Sequence, residues 1–127
     1  MAVKDINYKG KSVDEIKAMS LKEFAKLIPS RQRRSLSRGF TDAQKKFLKK
    51  LEKKGNNVKT HCRSIVIVPQ MLDKHILVHS GKQFVAVTIV PEMLGHYLGE
   101  FVLTRLRVAH SAPGVGATRS SASVSVR

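Results

Sequence analysis

Acidic residues are scarce in this sequence: nine Asp and Glu stand against 24 Lys and Arg, a net charge of +15 in 127 residues. Self-repulsion of that size opposes compaction, so the charge demands an anionic partner and is more than a binder of neutral small molecules needs. The second half holds only Asp73, Glu92 and Glu100. With so few carboxylates, none of the many serines is placed in an identifiable relay with a histidine and an acid, and nucleophilic catalysis has no foundation. Cysteine is nearly absent too. Cys62 stands alone, which excludes an intrachain disulfide and fits a reducing compartment. Long apolar runs are missing: stretches such as Ile65–Val68 fall far short of the ~20 residues a membrane-spanning helix needs. The opening MAVKDINYKGKS lacks the apolar stretch of a secretory signal. These absences predict a soluble, intracellular protein that is not an enzyme and has no membrane partner.

Metal-ligand spacing is also lacking. His61 and Cys62 are adjacent but have no second spaced pair, and His96 and His110 belong to separate segments. His75 and His79 are four apart on a predicted strand, on one face but too distant to share an ion. A structural zinc site needs about four converging ligands. No metal, cofactor or small-molecule substrate is expected, and several of these histidines are better suited to stack on or hydrogen-bond RNA. Pro113-Gly114-Val115-Gly116-Ala117-Thr118 lacks the Gly-Lys-Ser/Thr ending of a phosphate-binding loop and follows no buried strand into a helix.

What is present is organised by charge and by capping signals. Residues 1–60 carry 17 basic and 6 acidic residues, a net +11, and residues 61–127 a net +4. Residues 1–11 read as extended, hooked down by Ile6 and Tyr8. Ser12-Val13-Asp14-Glu15 and Ser20-Leu21-Lys22-Glu23 are capping boxes that open two consecutive helices, the second with an apolar stripe of Leu21, Phe24, Ala25 and Ile28. Pro29 interrupts that helix or starts its continuation. Thr41-Asp42-Ala43-Gln44 opens a third helix running to about Lys54 with Gly55 as its C-terminal cap. Ala43, Phe47 and Leu51 share its apolar face, flanked by Leu48.

From His61 the periodicity becomes that of strands: Ile65–Val68, Ile76–His79 and Phe84–Ile89, with a further short strand at Phe101–Arg105. The short break over Ser80–Gln83 suits an antiparallel hairpin. Pro91 stops the last strand and starts a helical turn, and Gly95 and Gly99 mark either a special backbone angle or a close packing approach. The predicted class is α+β: a small three-stranded, mainly antiparallel sheet, N-terminal helices and a flexible C-terminal tail. The predicted organisation is a basic helical extension over 1–60, an α+β core over 61–108 and a basic tail over 109–127 with too little apolar content to order itself.

Two segments are suited to phosphate. Arg31, Arg33, Arg34 and Arg38 fall within eight residues, beside serines that can also donate, and arginine's planar fork holds phosphate oxygens bidentately. A nuclear-import patch is the competing reading. The helix to Lys54 presents Lys45, Lys46, Lys49, Lys50 and Lys53, point charges that track a backbone without reading sequence, against only Asp42 and Glu52. His61, Arg63, His79, Lys82, His96, Arg105 and Arg107 complete the candidate RNA-contacting set, and Gly114, Gly116, Thr118, Arg119 and Arg127 mark a flexible, cationic tail.

The run from Ser80 to Thr104 carries a more specific signal. Ser80-Gly81-Lys82, Ile89, Leu94-Gly95, Leu98-Gly99-Glu100-Phe101 and Thr104 resemble the signature of the S-nineteen family of small-subunit ribosomal proteins. The resemblance extends through His61-Cys62-Arg63-Ser64, Pro69-Gln70-Met71, the segment Arg31 to Gly39 and Pro113 to Thr118, so nearly the whole chain is covered. The N-terminal helices and the PGVGAT tail are similar to the archaeal and eukaryotic branch. The resemblance implies a structural protein bound to small-subunit ribosomal RNA in the head of the subunit, beside a head protein of the S-thirteen family. It also implies a tail directed toward transfer RNAs at the decoding site. A DNA-binding architectural protein would share the charge, but no helix-turn-helix or zipper is evident.

Overall fold

Local capping chemistry divides the first half of the chain into helices. The computed structural model describes residues 7–110 and 112–115; Ile6, Gly116, Thr118, Arg119 and Arg127 lie outside the described residues. All three expected capping boxes are formed. Ser12, Ser20 and Thr41 each accept a backbone N–H through the side chain, while their own N–H donates to Glu15, Glu23 or Gln44. The boxes open α1 (Val13–Ala18), α2 (Leu21–Leu27) and, beyond the intervening α3 (Ser30–Ser37), α4 (Asp42–Lys54). Pro29 stands at the N-cap of α3, so it both breaks and restarts the helical path. Gly55 closes α4 at φ 76°, its N–H donating to the Leu51 carbonyl at 2.9 Å. The buried stripes are narrower than expected, since Leu21 and Ala43 are exposed and the burden falls on Phe24, Ile28, Phe47 and Leu51.

The second half forms one sheet in the order β1 (Val58–Thr60), β2 (His75–His79), β3 (Phe84–Thr88). β2 and β3 pair antiparallel through five positions, from His75↔Thr88 to His79↔Phe84, as the hairpin signal predicts. β1 runs parallel to β2 through three, Val58↔Ile76 to Thr60↔Val78. The sheet is therefore mixed with its longer ladder antiparallel, and the class is α+β. Three helices and the sheet share one core, in which Ile16, Phe24, Ile28, Phe47 and Leu51 meet Val58, Ile76, Val78, Val87 and Leu94.

Two strand expectations are corrected. Ile65–Val68 is not a sheet strand but a wholly buried extended segment. Its backbone pairs with the loop around His96: Ile67 N–H donates to His96 O at 2.8 Å and Leu98 N–H to Ile65 O at 3.0 Å. Burial on every side gives it the continuous apolar run of a strand without the ladder. Phe101–Arg105 is no strand either. A 3-10 turn at Leu98–Phe101 closes with Val102 N–H on Gly99 O, and the chain then leaves the sheet. Pro91 does start a turn, Pro91–Met93, as a single 3-10 winding.

The two glycines in this loop differ in kind. Gly95 sits at φ +79°, and a Cβ there would lie 2.9 Å from Ile28 Cγ2 and 3.0 Å from the Tyr8 hydroxyl. That hydroxyl donates to Leu94 O at 3.1 Å, the hook expected of Tyr8. Gly99 needs no positive φ; its reason is the close approach, since a Cβ would lie 2.9 Å from Arg63 Cβ. Gly55, at φ +76°, has open space around it. A side chain at a sparsely populated positive-φ conformation costs ~1–3 kcal/mol and overpacking a further ~1–3 kcal/mol. Gly55→Ala is therefore expected to lose only the first amount and Gly95→Ala both. Denaturant melts of the two variants check this, and equal losses would show that the packing around Gly95 yields freely.

Candidate nucleic-acid interface

The arginine cluster separates by helix geometry into two jobs. Arg31, Arg34 and Arg38 fall three and four residues apart, which places them on one face of α3 and its C-cap, and all three are exposed. They line a depression of about 210 Å³ with Ser35. Arg31, Ser35 and Arg38 also line one wall of an open cleft of about 710 Å³, whose far wall holds Arg63, Ser64, Tyr97 and Glu100. The Ser35 hydroxyl lies 3.3 Å from the Tyr97 hydroxyl, which pins α3 to the opposite wall.

Arg33 points elsewhere. Its Nε donates to Ala25 O at 3.0 Å and its Nη2 to Ile28 O at 3.1 Å, filling the carbonyls left open where α2 ends. Arg63 is likewise committed internally: Nη1 donates to His79 O at 2.7 Å, and Nη2 to Gly99 O at 2.8 Å and Val102 O at 2.6 Å. A free guanidinium grips phosphate; these two grip backbone. Sequence reading groups them with the surface arginines because carbonyl partners leave no mark in the sequence.

Lys45, Lys46, Lys49, Lys50 and Lys53 are all exposed on α4, opposite Phe47 and Leu51, which face the core. Among the described residues, Lys17 alone of the lysines and arginines pairs with a carboxylate, Asp73 at 2.8 Å. The cationic surface is therefore left for a partner to neutralise. Arg105 and Arg107 are exposed on the segment leaving the sheet, between Leu103, Leu106 and Val108, which are exposed as well.

His96 is tied to Glu100, Nδ1 to Oε2 at 2.8 Å, while the other carboxylate oxygen accepts the Tyr97 N–H at 3.4 Å. Glu100 thus caps its turn and holds the histidine beside it. His61, His79 and Phe84 come together at one end of the sheet, with ring centroids 4.4 to 5.3 Å apart. Lys59 reaches to 5.2 Å from the Phe84 ring centre, and Lys82 is exposed at the adjacent hairpin tip. Sequence reading misses Lys59 and Phe84; the signal was alternation in Val58-Lys59-Thr60, a strand too short to stand out. Among the described residues no three His, Cys, Asp or Glu side chains converge to hold a metal. His75 is engaged with the Thr88 hydroxyl at 2.8 Å. Of the five candidate tail residues Gly114 is described, and it is exposed.

Comparison with known proteins agrees with the sequence signature. A family model described as ribosomal protein S19 matches residues 34–110, from α3 through the sheet to the start of the tail. Small ribosomal subunit protein uS19 of Saccharolobus solfataricus is 50% identical over 124 residues, which cover 93% of this chain and 89% of the relative.

The division of labour in α3 revises one expectation. From sequence, reversing Arg33 and Arg34 to Glu should leave the isolated fold intact. With Arg33 bound to the end of α2, Arg33→Ala is expected to cost ~1.5–3 kcal/mol, the usual range for hydrogen bonds to charged groups, and its exposure places it at the low end. Arg34→Ala should stay within ~0.5 kcal/mol. Equilibrium urea unfolding compares them, and equal stabilities would remove the structural role of Arg33.

Proposed function

Because the chain belongs to the ribosomal protein S19 family, we propose that it holds ribosomal RNA in the head of the small subunit and sends its tail toward transfer RNA at the decoding site. As a member of that family it is a structural constituent of the small ribosomal subunit, not an enzyme, and it works within the ribonucleoprotein that carries out translation in the cytoplasm. The observation that carries the finer reading is the cleft between α3 and the Tyr97–Glu100 loop, walled by Arg31 and Arg38.

Phosphates crowd where RNA helices pack, and guanidinium forks can replace their counterions while holding phosphate oxygens bidentately. Arg31, Arg34 and Arg38 take the cleft side, and Lys45, Lys46, Lys49, Lys50 and Lys53 track a second backbone along α4. Lys82, Arg105 and Arg107 add contacts at the far end of the sheet. Arg33 and Arg63 act indirectly, by fixing the elements that carry the others, and His96 through its bond to Glu100. The exposed Leu103, Leu106 and Val108 suit a protein neighbour, for which the head protein of the S-thirteen family is the proposed partner. Gly114, Gly116, Thr118, Arg119 and Arg127 form the segment proposed to approach transfer RNA.

Reconstitution of small subunits tests the reading. Wild-type protein is expected to cosediment with them through a high-salt wash, and to prefer a ribosomal RNA head fragment over duplex DNA at one salt concentration. Reversing Arg31, Arg34 and Arg38 to Glu should abolish retention while the isolated protein melts as the parent does. Equal affinity for duplex DNA would support the architectural alternative instead. Removing 111–127 should leave head incorporation unchanged and weaken transfer-RNA binding. Loss of incorporation would make the tail an assembly anchor, and normal transfer-RNA binding would make it dispensable.

A further inference from the structure

The outer face of the sheet carries side chains of a different kind from the cationic helices. Residues alternate across a strand, and the inner set is clear: Val58, Thr60, Ile76, Val78 and Val87 are buried. The outward set is therefore Lys59, His75, Leu77, His79, Phe84, Ala86 and Thr88. Lys59, Ala86 and Thr88 are exposed, so none of the described elements lies across that part of the face. At the hairpin end three rings converge. His79 and Phe84 are a cross-strand pair with centroids 4.9 Å apart, and His61, just past β1, lies 4.4 Å from His79 at an interplanar angle of 33°.

We infer that this ring cluster is a stacking site for an unpaired nucleobase, with His61 as the exposed platform. Four observations carry it. The rings do not fill the core: His61 is exposed and the other two are half-buried. His61 lies over His79 with centroids 4.4 Å apart and the rings tilted by 33°, closer to face-on than edge-on, so its outer face is left for one more flat ring to be added. Two cations flank the rings, Lys59 at 5.2 Å from the Phe84 centre and Lys82 on the hairpin tip, which is where the phosphates on either side of a splayed base would run. Finally, the Gly81 N–H donates to His79 Nδ1 at 3.1 Å. In neutral His79 that bond leaves the proton on Nε2, a donor available to a base edge.

An open sheet face with rings at one end is a recognised way for protein to hold single-stranded RNA, since every base has a π-face. A paired helix cannot use it, because its bases are already stacked. The ligand class is thus an unpaired nucleotide in a loop or bulge, a contact distinct from the phosphate grip of α3 and α4. The inference rests on the ribosomal RNA reading above and deepens it.

Salt dependence and fluorescence separate this contact from phosphate binding. The chain contains no tryptophan, so His61→Trp introduces a single indole at the platform. Full-length parent, His61→Ala and His61→Trp are titrated with the small-subunit ribosomal RNA head fragment. Stacking predicts that His61→Ala binds ~5- to 150-fold more weakly, the effect of losing one base–ring stack, while log K falls with log salt at the parent's slope. His61→Trp should bind at least as tightly as the parent, and its emission should be strongly quenched by the fragment but not by a fully paired RNA duplex. Unchanged affinity of His61→Ala, a salt slope reduced by ~1, or equal quenching by the duplex would each overturn the proposal. If instead the parent shows no preference for the head fragment over unrelated RNA of equal length, the ribosomal RNA reading fails and the proposal resting on it is overturned with it.

Discussion

The guanidinium of Arg63 is the junction on which the C-terminal half depends. Its three carbonyl partners belong to the end of β2, the Leu98–Phe101 turn and the residue where the chain departs the sheet. The turn binds its own exit through Val102 N–H on Gly99 O, but no strand ladder ties either to the end of β2, and the His79 and Val102 carbonyls would be costly to leave without a donor. The Arg63 main chain joins in, since Gly99 N–H donates to its carbonyl at 2.8 Å. That approach explains Gly99, because any side chain would enter the space the arginine occupies. One wall of the basic cleft and one end of the ring cluster are thus set by the same residue. Its charge serves the fold, and the cleft inherits its shape from it.

The remaining cations are spread over surfaces that cannot neutralise themselves. Phe47 and Leu51 give α4 enough apolar surface to dock, while its exposed flank holds six lysines with no carboxylate in reach as an ion pair among the described residues. The pair of Lys17 with Asp73 lies in solvent and adds little to stability. Folding is therefore carried by the core and by backbone capping, and the surplus charge is a standing electrostatic cost that an anionic partner relieves.

Legibility followed the range of the interaction. The three capping boxes, the Gly55 cap and the 80–83 hairpin were readable because each is decided within a few residues. β1 was not, because its partner is β2 eighteen residues on, and three residues after Asn56-Asn57 look like part of a turn. Ile65–Val68 was misread for the opposite reason: it has the strand composition, but its hydrogen bonds go to a loop thirty residues later. In the candidate site, sequence identified which side chains are cationic and left open which way they point. Arg31, Arg34 and Arg38 were separable from Arg33 only once α3 was known to run through all four. Arg63 was indistinguishable from a surface arginine.

The parallel pairing of β1 with β2 bears on the order in which the chain is made. Val58 must wait for Ile76, Phe24 and Ile28 for a core that includes Leu94, and Tyr8 for the Leu94 carbonyl. A growing chain therefore emerges as sixty residues with a net charge of +11 and no completed core to close upon. Through that interval its helices offer apolar stripes and bare cations to a polyanion-rich surrounding. The topology makes the nascent protein most exposed to the wrong RNA just before it can recognise the right one, a window that closes once the sheet's second and third strands and Leu94 beyond them have arrived.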